Sequence, residues 1–460
     1  MSVISKYFKE QQRKKELVHV VKDSTKKREK TIKKIEEGSF AVDFYQWVKT
    51  RAFNELGQKV IMYDYLEDWL LLHGDLRLSV VVTGAAQLTK SLSSFLLAYY
   101  CTHHGALSVL FCFSKSNIRD KIVASTLNPM FEFNMEADEE AEVYLSDNNK
   151  LKKTKSSTLY TSFVYSSTLS EAIAVPAELQ SITVDVEILD EYSQYDPKLA
   201  AVLGNRMDNS PLFSKAQRFV STPGKKGTGV DIQLQQCSHV FDAHVNCPHC
   251  HKLASLNPLD CLFKQVEIIG TDNEVTLSYF DENLKVLDWH HHDKSDRINS
   301  AYIACQHCLG EIDKDTILKA RLYDRKTKIT VPEYIQTVNA DPFKMRLVGI
   351  IAAPVLRRSK VPIAVRLVND GVNTQNAQNF VEQTLGIASS DNFDGLTVDL
   401  LEKAVYAPNE PTNPQAYTKY TVLGLDVARS AHYACISELY IPNHGTSDYK
   451  YENTIRSIKS

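Results

Sequence analysis

A strand–helix–strand pattern near residues 78–114 is the feature that most constrains the fold of this chain. The β-branched run "LSVVVTG" predicts a buried strand, "SLSSFLLAYYCTHHG" predicts a helix that ends at Gly105, and "ALSVLFCFS" predicts a second strand. A helical crossover between two buried strands makes them parallel and covers the sheet with helices. The later runs "SITVDVEILDE" and "AQRFVSTPG" predict two more such strands. We therefore predict an α/β protein with a mainly parallel sheet.

Length and composition narrow the class of protein. A chain of 460 residues predicts two or three domains, and 43% hydrophobic with 24% charged residues is typical of a soluble globular protein. A net charge of -3 excludes a uniformly basic nucleic-acid binder but leaves room for a local basic groove. The apolar runs are too short to span a bilayer, and the first residues lack the apolar core of a secretion signal. We expect an intracellular protein whose cysteines are thiols or metal ligands.

The turn after the first predicted strand, "TGAAQLTKS", resembles a phosphate-binding loop, G-x-x-x-x-G-K-[ST]. Gly84 opens the pattern, Lys90 and Ser91 close it, and Thr89 stands at the second glycine position. In such a loop, backbone N–H groups surround the phosphates, the lysine binds the β- and γ-phosphates, and the hydroxyl binds Mg²⁺. A threonine at position 89 hinders close approach of the backbone. The alternative is an ordinary strand-to-helix turn with a solvated Lys90.

Two further motifs each follow a predicted strand. Asp190 and Glu191 end "SITVDVEILDE", and we predict that Asp190 holds Mg²⁺ while Glu191 polarises the attacking water. The alternative is an acidic strand end that caps a helix. Ser221 and Thr222 follow "AQRFV", where their hydroxyls could sense the γ-phosphate. The alternative there is a plain turn, which the following Pro-Gly pair favours.

Two Cys-x₂-Cys pairs predict a metal site. Cys247 with Cys250, and Cys305 with Cys308, can supply four thiolates to one tetrahedral ion, for which Zn²⁺ is the natural choice in a reducing compartment. The alternative is four unligated thiols. Four cysteines leave no open coordination position, so we predict a structural site in an insertion that meets DNA or a neighbouring subunit. Between the pairs, Cys261 and the histidines at 290–292 form either another site or a polar loop tip.

The ordered set of motifs resembles the large terminase subunit of tailed bacteriophages, a genome-packaging ATPase and nuclease, in the subgroup that carries a zinc ribbon. The resemblance covers about residues 40–440 and is carried by "GAAQLTKS", "LDEYSQYDPKL", "VSTPGKKGTG", "VNCPHCHKL", "QNFVEQTLG" and "LGLDVA", in that order. Gln87 matches the glutamine of the family's loop, and Thr89 departs from its glycine. The resemblance implies a phosphate-loop ATPase with an inserted zinc ribbon, followed by an RNase H-like domain.

The resemblance also implies a function and partners. It implies ATP-driven translocation of double-stranded DNA into a procapsid, with ATP and Mg²⁺ as cofactors. The implied partners are a portal protein, a small terminase subunit and a homo-oligomeric ring of like subunits. The implied place is the host cell cytoplasm during virion assembly, without secretion or membrane attachment. An arginine finger is expected, and Arg206 and Arg119 are both candidates.

The stretch "TKYTVLGLDVARSAHYACISELYI" predicts two adjacent strands and resembles the first hairpin of the terminase nuclease. Asp426 matches the aspartate that binds the catalytic metal, Mg²⁺ or Mn²⁺; the alternative is an aspartate at a strand edge. Two-metal cleavage needs several carboxylates, and Asp448 and Glu452 match no family position. We therefore expect an incomplete nuclease, which a second polypeptide would complete by adding strands or which has decayed.

The predicted organisation has five parts. Residues 1–37 form a charged arm, which is a solvated helix or partly disordered. Residues 38–240 form the ATPase domain, 241–315 the zinc ribbon, 316–415 a linking α/β region, and 416–460 the start of the nuclease domain. Two other function classes stay open. One is a helicase-type, DNA-dependent ATPase without a capsid role. The other is a non-catalytic DNA-binding scaffold with a degenerate loop, which Thr89 motivates.

Overall fold

The structure is a computed structural model, and it divides the chain into two compact units, Met1–Ser390 and Asp391–Ser460. The domain limits given above stay predictions. The residues that the structure describes are 23–148, 150–165, 182–195, 203–212, 215–261, 265–268, 274–277, 301–338, 346–357, 359–373, 377–389, 417–427, 432–442 and 453–458.

The first unit is built on one large sheet and a separate hairpin. The strands in chain order are β1 (Ser79–Gly84), β2 (Val109–Lys115), β3 (Ser146–Asp147), β4 (Leu151–Lys153), β5 (Thr158–Tyr165), β6 (Val186–Asp190), β7 (Ala216–Val220), β8 (His239–Asn246), β9 (Leu253–Ser255), β10 (Gln265–Ile268), β11 (Glu274–Leu277), β12 (Arg321–Asp324) and β13 (Leu347–Ala352). β10 and β11 pair only with each other among the described residues.

The large sheet has the spatial order β12-β8-β13-β1-β7-β6-β2-β5-β4-β3, and β9 pairs with β8. All pairs from β8 through β5 are parallel, and the antiparallel pairs lie towards its ends. Such a sheet needs helices between its strands and on its faces. The prediction of an α/β protein with a mainly parallel sheet is therefore confirmed.

Helices connect and cover these strands. They are α1 (residues 23–36), α2 (Ser39–Thr50), α3 (Asp64–Gly74), α4 (Lys90–Tyr99), α5 (Ser116–Ile122), α6 (Asn128–Ala137), α7 (Gly229–Gln235), α8 (Pro258–Cys261), α9 (Lys314–Leu318), α10 (Val331–Thr337), α11 (Ile363–Asn373) and α12 (Ala377–Asn379). α4 continues as a π-helical turn, Tyr100–His104, and ends before Gly105, as the sequence predicts. A second π-helical turn, Phe380–Leu385, follows α12.

The strand order determines where the motifs meet. β1 lies between β13 and β7, and β7 separates β1 from β6. All residues of β1, β6 and β7 are buried. Among their buried polar side chains, Gln217 donates to Glu187, and Arg218 donates to the carbonyl oxygen of His73. Because these strands are parallel, their carboxyl ends lie at one edge of the sheet. The phosphate-loop candidate, the Asp-Glu pair and the Ser-Thr pair therefore leave the sheet side by side.

Part of the predicted charged arm packs on the first unit. In α1, Lys27 forms an ion pair with Glu142 at 2.7 Å, and Arg28 forms one with Asp185 at 2.6 Å. Ile35 of the same helix is buried. The alternative of a solvated helix agrees with the mostly exposed or half-buried side chains of α1. The sequence did not predict that its basic side chains have acidic partners far along the chain.

The second unit contains an antiparallel sheet of β14 (Tyr417–Val427), β15 (His432–Pro442) and β16 (Asn453–Ile458), in that order. The two predicted strands are confirmed as the β14–β15 hairpin. A third strand, β16, was not predicted; it pairs with β15. The sequence of β16, "NTIRSI", lacks the strict alternation that identifies a strand.

No helix in the described ranges has the length and apolar character to cross a membrane.

Candidate nucleotide site and metal centre

The loop between β1 and α4 has the backbone of a tight turn. Gly84 has a φ of 137°, and a Cβ there would lie 2.3 Å from the carbonyl oxygen of Ala352. Thr89 has a φ of 34° and occupies the left-handed region that favours glycine. Its hydroxyl is buried and has no hydrogen-bond partner among the described residues. The structure therefore keeps the backbone shape that a glycine would give and places a threonine in it.

Lys90 points into this loop. Its side chain is buried, and its ammonium donates hydrogen bonds to the carbonyl oxygens of Gly84, at 2.7 Å, and Ala85. Burial lowers the pKa of Lys90 to about 8, although the nearby carboxylates of Glu191 and Asp190 act in the opposite direction. The alternative of a solvated Lys90 is wrong, because the loop itself surrounds the charge.

The acidic pair lies opposite the start of α4. Asp190 is 3% exposed, and Ser91 Oγ donates to Asp190 Oδ1 at 3.3 Å. Burial and the charge of Glu191 raise the pKa of Asp190 to about 7. Mg²⁺ binds oxygen ligands at about 2.1 Å, so two neighbouring ligands of an octahedron lie about 3 Å apart. The hydroxyl and carboxylate present here fit two such positions.

Glu191 follows Asp190 in a left-handed backbone conformation, with a φ of 55°. Its side chain is half-buried, and burial raises its pKa, while the charge of Lys90 lowers it. Lys90, whose charge acts on this carboxylate, belongs to the loop after β1. A carboxylate in this position is suited to orient a water molecule beside the loop.

Ser221 and Thr222 adjoin the end of β6 through a residue that the sequence analysis missed. The N–H of Ser193 donates to Ser221 Oγ at 3.1 Å, and Ser193 Oγ donates to the carbonyl oxygen of Thr222 at 3.0 Å. The two candidate hydroxyl residues are buried. Their polar groups bind the segment that follows Glu191, so this turn is tied to the acidic strand end.

Two more residues at the loop were not predicted. Arg357 Nε donates to the carbonyl oxygen of Ala86 at 2.9 Å, and its charge contributes to the lowered pKa of Lys90. The carbonyl oxygen of Gln383 accepts from the N–H of Ala86 at 2.8 Å. The only sequence signal for Gln383 is that it lies in "QNFVEQTLG", and Arg357 stands in no motif.

A cavity of about 350 Å³ opens beside the loop. Gln87, predicted as a nucleotide-binding residue, lines it together with Thr89 and Arg357. The wall on another side includes Tyr63 and Tyr65, whose rings stack at 5.9 Å between centroids. A cavity with cationic and aromatic walls next to backbone N–H groups has the chemistry to hold a nucleotide.

The two arginine-finger candidates differ in environment. Arg119 is 5% exposed, pairs with Asp120 and lies over the ring of Phe163 at 4.8 Å. Its burial argues against contact with a neighbouring subunit. Arg206 is half-buried and its carbonyl oxygen accepts from the N–H of Val184, just before β6. That position lies at the opposite end of β6 from Asp190.

The four predicted cysteine ligands come together. Cys247 Sγ lies 3.6 Å from Cys308 Sγ, and Cys250 Sγ lies 3.8 Å from Cys305 Sγ. All four sulfur atoms lie within 4.8 Å of one another. A tetrahedral ion with metal–sulfur distances of about 2.3 Å separates its sulfur ligands by about 3.8 Å. The cluster is therefore compatible with zinc.

The knuckles have the local backbone that a metal site needs. The N–H of His249 donates to Cys247 Sγ and that of His307 to Cys305 Sγ, each at 3.4 Å. These bonds stabilise thiolates by donating to sulfur. Cys261 is fully buried, so the interpretation of its surroundings as a polar loop tip is wrong for this residue. The histidines at 290–292 lie outside the described residues.

Asp426 lies in β14, opposite Tyr433 of β15. It belongs to the second unit, Asp391–Ser460. Its assignment as a nuclease metal ligand stays a prediction. Asp448 and Glu452 lie outside the described residues.

The fold and this arrangement of loop, hydroxyl and carboxylates define a nucleotide-binding α/β protein. A family model described as the ATPase domain of the phage terminase large subunit gpA matches residues 73–321, which is more than half of the chain. The chain therefore belongs to this family. The matched residues include the loop, Asp190 with Glu191, Ser221 with Thr222, and the four clustered cysteines.

Among solved structures, the large terminase from a thermophilic bacteriophage, in its second crystal form, is similar, with 8% sequence identity and a TM-score of 0.31. The similarity covers 88% of this chain and 64% of that chain. The chain thus spans less than two thirds of that protein. No curated protein matches the sequence.

Proposed function

We propose that this chain is the ATP-hydrolysing motor subunit that moves double-stranded viral DNA into a procapsid. Membership of the gpA ATPase family supports ATP hydrolysis. The observation that carries the proposal is the position of Ser91 Oγ, 3.3 Å from Asp190 Oδ1, at the mouth of a loop that encloses Lys90. Lysine, hydroxyl and carboxylate are the groups that phosphoryl transfer from a Mg²⁺ nucleotide requires.

Each residue has a distinct role in this proposal. Lys90 leaves the loop carbonyls and binds the β- and γ-phosphates, for which its partial desolvation is an advantage. Ser91 and Asp190 would hold Mg²⁺, which would supply positive charge to the phosphate oxygens. Glu191 accepts a hydrogen bond from the attacking water and orients it. Arg357 adds positive charge at the loop.

The clustered cysteines bind one structural zinc ion in our proposal. Their sulfur separations fit a tetrahedral site, and four thiolates leave no place for substrate. The four cysteines would hold the ion between β8 and α9, and this bond set would stiffen a surface that we expect to meet DNA or a neighbouring subunit.

The proposed partners follow from the family. They are double-stranded DNA, a portal protein, a small terminase subunit and a ring of like subunits, all in the host cell cytoplasm during virion assembly. The second unit would contribute part of a nuclease, which a second polypeptide would complete and in which Asp426 would bind a divalent metal. DNA cleavage that depends on Mg²⁺ or Mn²⁺ and is lost in Asp426→Ala would support that role, and cleavage unchanged in Asp426→Ala would contradict it.

Substitution of Lys90 tests the proposed motor function. Lys90→Ala should lower both nucleotide binding and ATP turnover at least tenfold, because phosphate loses its only lysine partner within the loop. Binding is measured with a fluorescent ATP analogue and turnover by phosphate release, with and without double-stranded DNA. Lys49→Ala, which changes an exposed lysine on α2, is the control. Turnover by Lys90→Ala at the parent rate would contradict the assignment.

A further inference from the structure

The π-helical turn Phe380–Leu385 brings a distant part of the chain onto the phosphate loop. The turn ends at Gly386, whose φ is 70°. A Cβ on Gly386 would lie 2.2 Å from the backbone nitrogen of Ala85 and 2.6 Å from the carbonyl carbon of Gly84. The two backbones are therefore in direct contact, and only glycine permits this approach. The loop therefore has no room to shift towards this turn unless the turn also moves.

Gln383 makes two hydrogen bonds from this turn. Its carbonyl oxygen accepts from the N–H of Ala86 at 2.8 Å, and its side-chain Nε2 donates to Thr222 Oγ1 at 3.1 Å. The first bond holds the phosphate loop by the backbone, and the second holds the Ser-Thr pair by the side chain. Gln383 thus joins the segments that follow β1 and β7.

The same hydrogen-bonded set continues to the acidic strand end. Thr222 accepts through its carbonyl oxygen from Ser193 Oγ at 3.0 Å, and Ser193 stands two residues after Glu191. Contacts therefore run from Ala86 through Gln383, Thr222 and Ser193 to the end of β6. A contiguous network of this kind can carry coupling between sites, but only mutant cycles measure it.

We propose that Gln383 is a positioning residue that transmits the state of the phosphate loop to the Ser221–Thr222 pair. When the loop closes on phosphate, Ala86 carries the Gln383 backbone with it, and the Gln383 amide repositions Thr222. The proposal rests on the ATPase function proposed above and names the residue that would link the phosphate loop to the Ser221–Thr222 pair. Removal of the Gln383 side chain keeps the backbone bond to Ala86 and deletes only the bond to Thr222.

This division predicts a separation of kinetic effects. In Gln383→Ala, the KM for ATP should stay within about twofold of the parent, while the DNA-stimulated kcat should fall about tenfold. Gln383→Met keeps the side-chain length and removes the amide. It should show the same KM and kcat as Gln383→Ala, which would exclude a folding defect caused by the shorter side chain. The matched control is Gln378→Ala, since Gln378 lies just before the turn and its Nε2 donates to Glu382 Oε1 at 2.9 Å.

A double-mutant cycle with Thr222→Val tests the link itself. If Gln383 acts through Thr222, the double variant should lose no more kcat than the worse single variant. Additive losses, a parent-like kcat in Gln383→Ala, or an effect confined to KM would each overturn the proposal. These outcomes presuppose that the parent hydrolyses ATP. Absence of hydrolysis in the parent would instead contradict the proposed function, and this inference with it.

Discussion

At the scale of single residues, Thr89 is the departure from the phosphate-loop pattern with the clearest physical cost. Its backbone has a φ of 34°, where a β-branched residue is strained by about 1 kcal/mol. Lys90 nevertheless lies inside the loop, and Ser91 Oγ lies 3.3 Å from Asp190 Oδ1. The substitution of glycine by threonine therefore alters the cost of the loop conformation and leaves its charged groups in place.

Thr89→Gly should tighten nucleotide binding about fivefold, because glycine adopts the left-handed conformation without strain. Thr89→Ala is the matched control, since it removes the buried hydroxyl without giving the backbone the freedom of glycine. Calorimetric titration with an ATP analogue measures both variants. Equal affinities of the two variants would show that backbone strain at this position does not limit binding.

A buried histidine makes stability sensitive to acid. His103 is fully buried beside Tyr99, with ring centroids 4.3 Å apart, and burial lowers its pKa to about 4. The unfolded chain protonates a histidine below a pH of about 6.5, and the folded chain does not until about 4. Protonation of the unfolded state therefore lowers the free energy of unfolding as pH falls through this window.

Because of His103, the free energy of unfolding should be lower at pH 5 than at pH 8 by an amount on the order of 2 kcal/mol. In His103→Phe the dependence of stability on pH between about 6.5 and 4 should become shallower. Urea unfolding of both proteins across this range measures the difference. Parallel curves for the parent and the variant would rule out a neutral, buried His103.

At the scale of elements, the two cysteine knuckles lie in a region with little regular secondary structure. β8 leads into the first knuckle, and α9 begins shortly after the second. In a structural zinc site, metal-binding free energy is also folding free energy. The local fold around the knuckles should therefore depend on the ion.

Protein purified without chelator should contain about one zinc per chain, and Cys250→Ser should lose it and melt at a lower temperature. The control is Cys237→Ser, because Cys237 lies outside the cluster and its Sγ donates to the carbonyl oxygen of Gln233. Metal analysis and thermal unfolding provide the two readouts. Zinc-free parent protein, or a Cys250→Ser variant that keeps the ion, would contradict the site.

At the scale of the whole molecule, the sequence predicts the sheet type and most of the site because each motif directly follows a strand. It does not predict that β7 separates β1 from β6, since strand order depends on tertiary packing. Arg357 and Gln383 were missed for a related reason. Arg357 contacts a residue 271 positions away, and the side chain of Gln383 contacts one 161 positions away, so no local pattern marks them.

The same limit applies to the second unit and to α1. The β14–β15 hairpin is predictable from its apolar alternation, whereas β16 is short and mixed in character. The basic residues of α1 suggest solvent exposure, but Lys27 and Arg28 find Glu142 and Asp185 more than a hundred positions away. Such pairings depend on the folded sheet, and their partners are not marked in the sequence.

The central claim is that this molecule hydrolyses ATP with a carboxylate that activates water. The most direct measurement is the rate of ATP hydrolysis with double-stranded DNA, made together with ATP binding, in the parent and in Glu191→Gln. We predict that Glu191→Gln binds ATP like the parent and loses at least a hundredfold in hydrolysis, because a neutral amide lacks the negative charge that polarises the attacking water. Hydrolysis by Glu191→Gln at the parent rate would contradict the account.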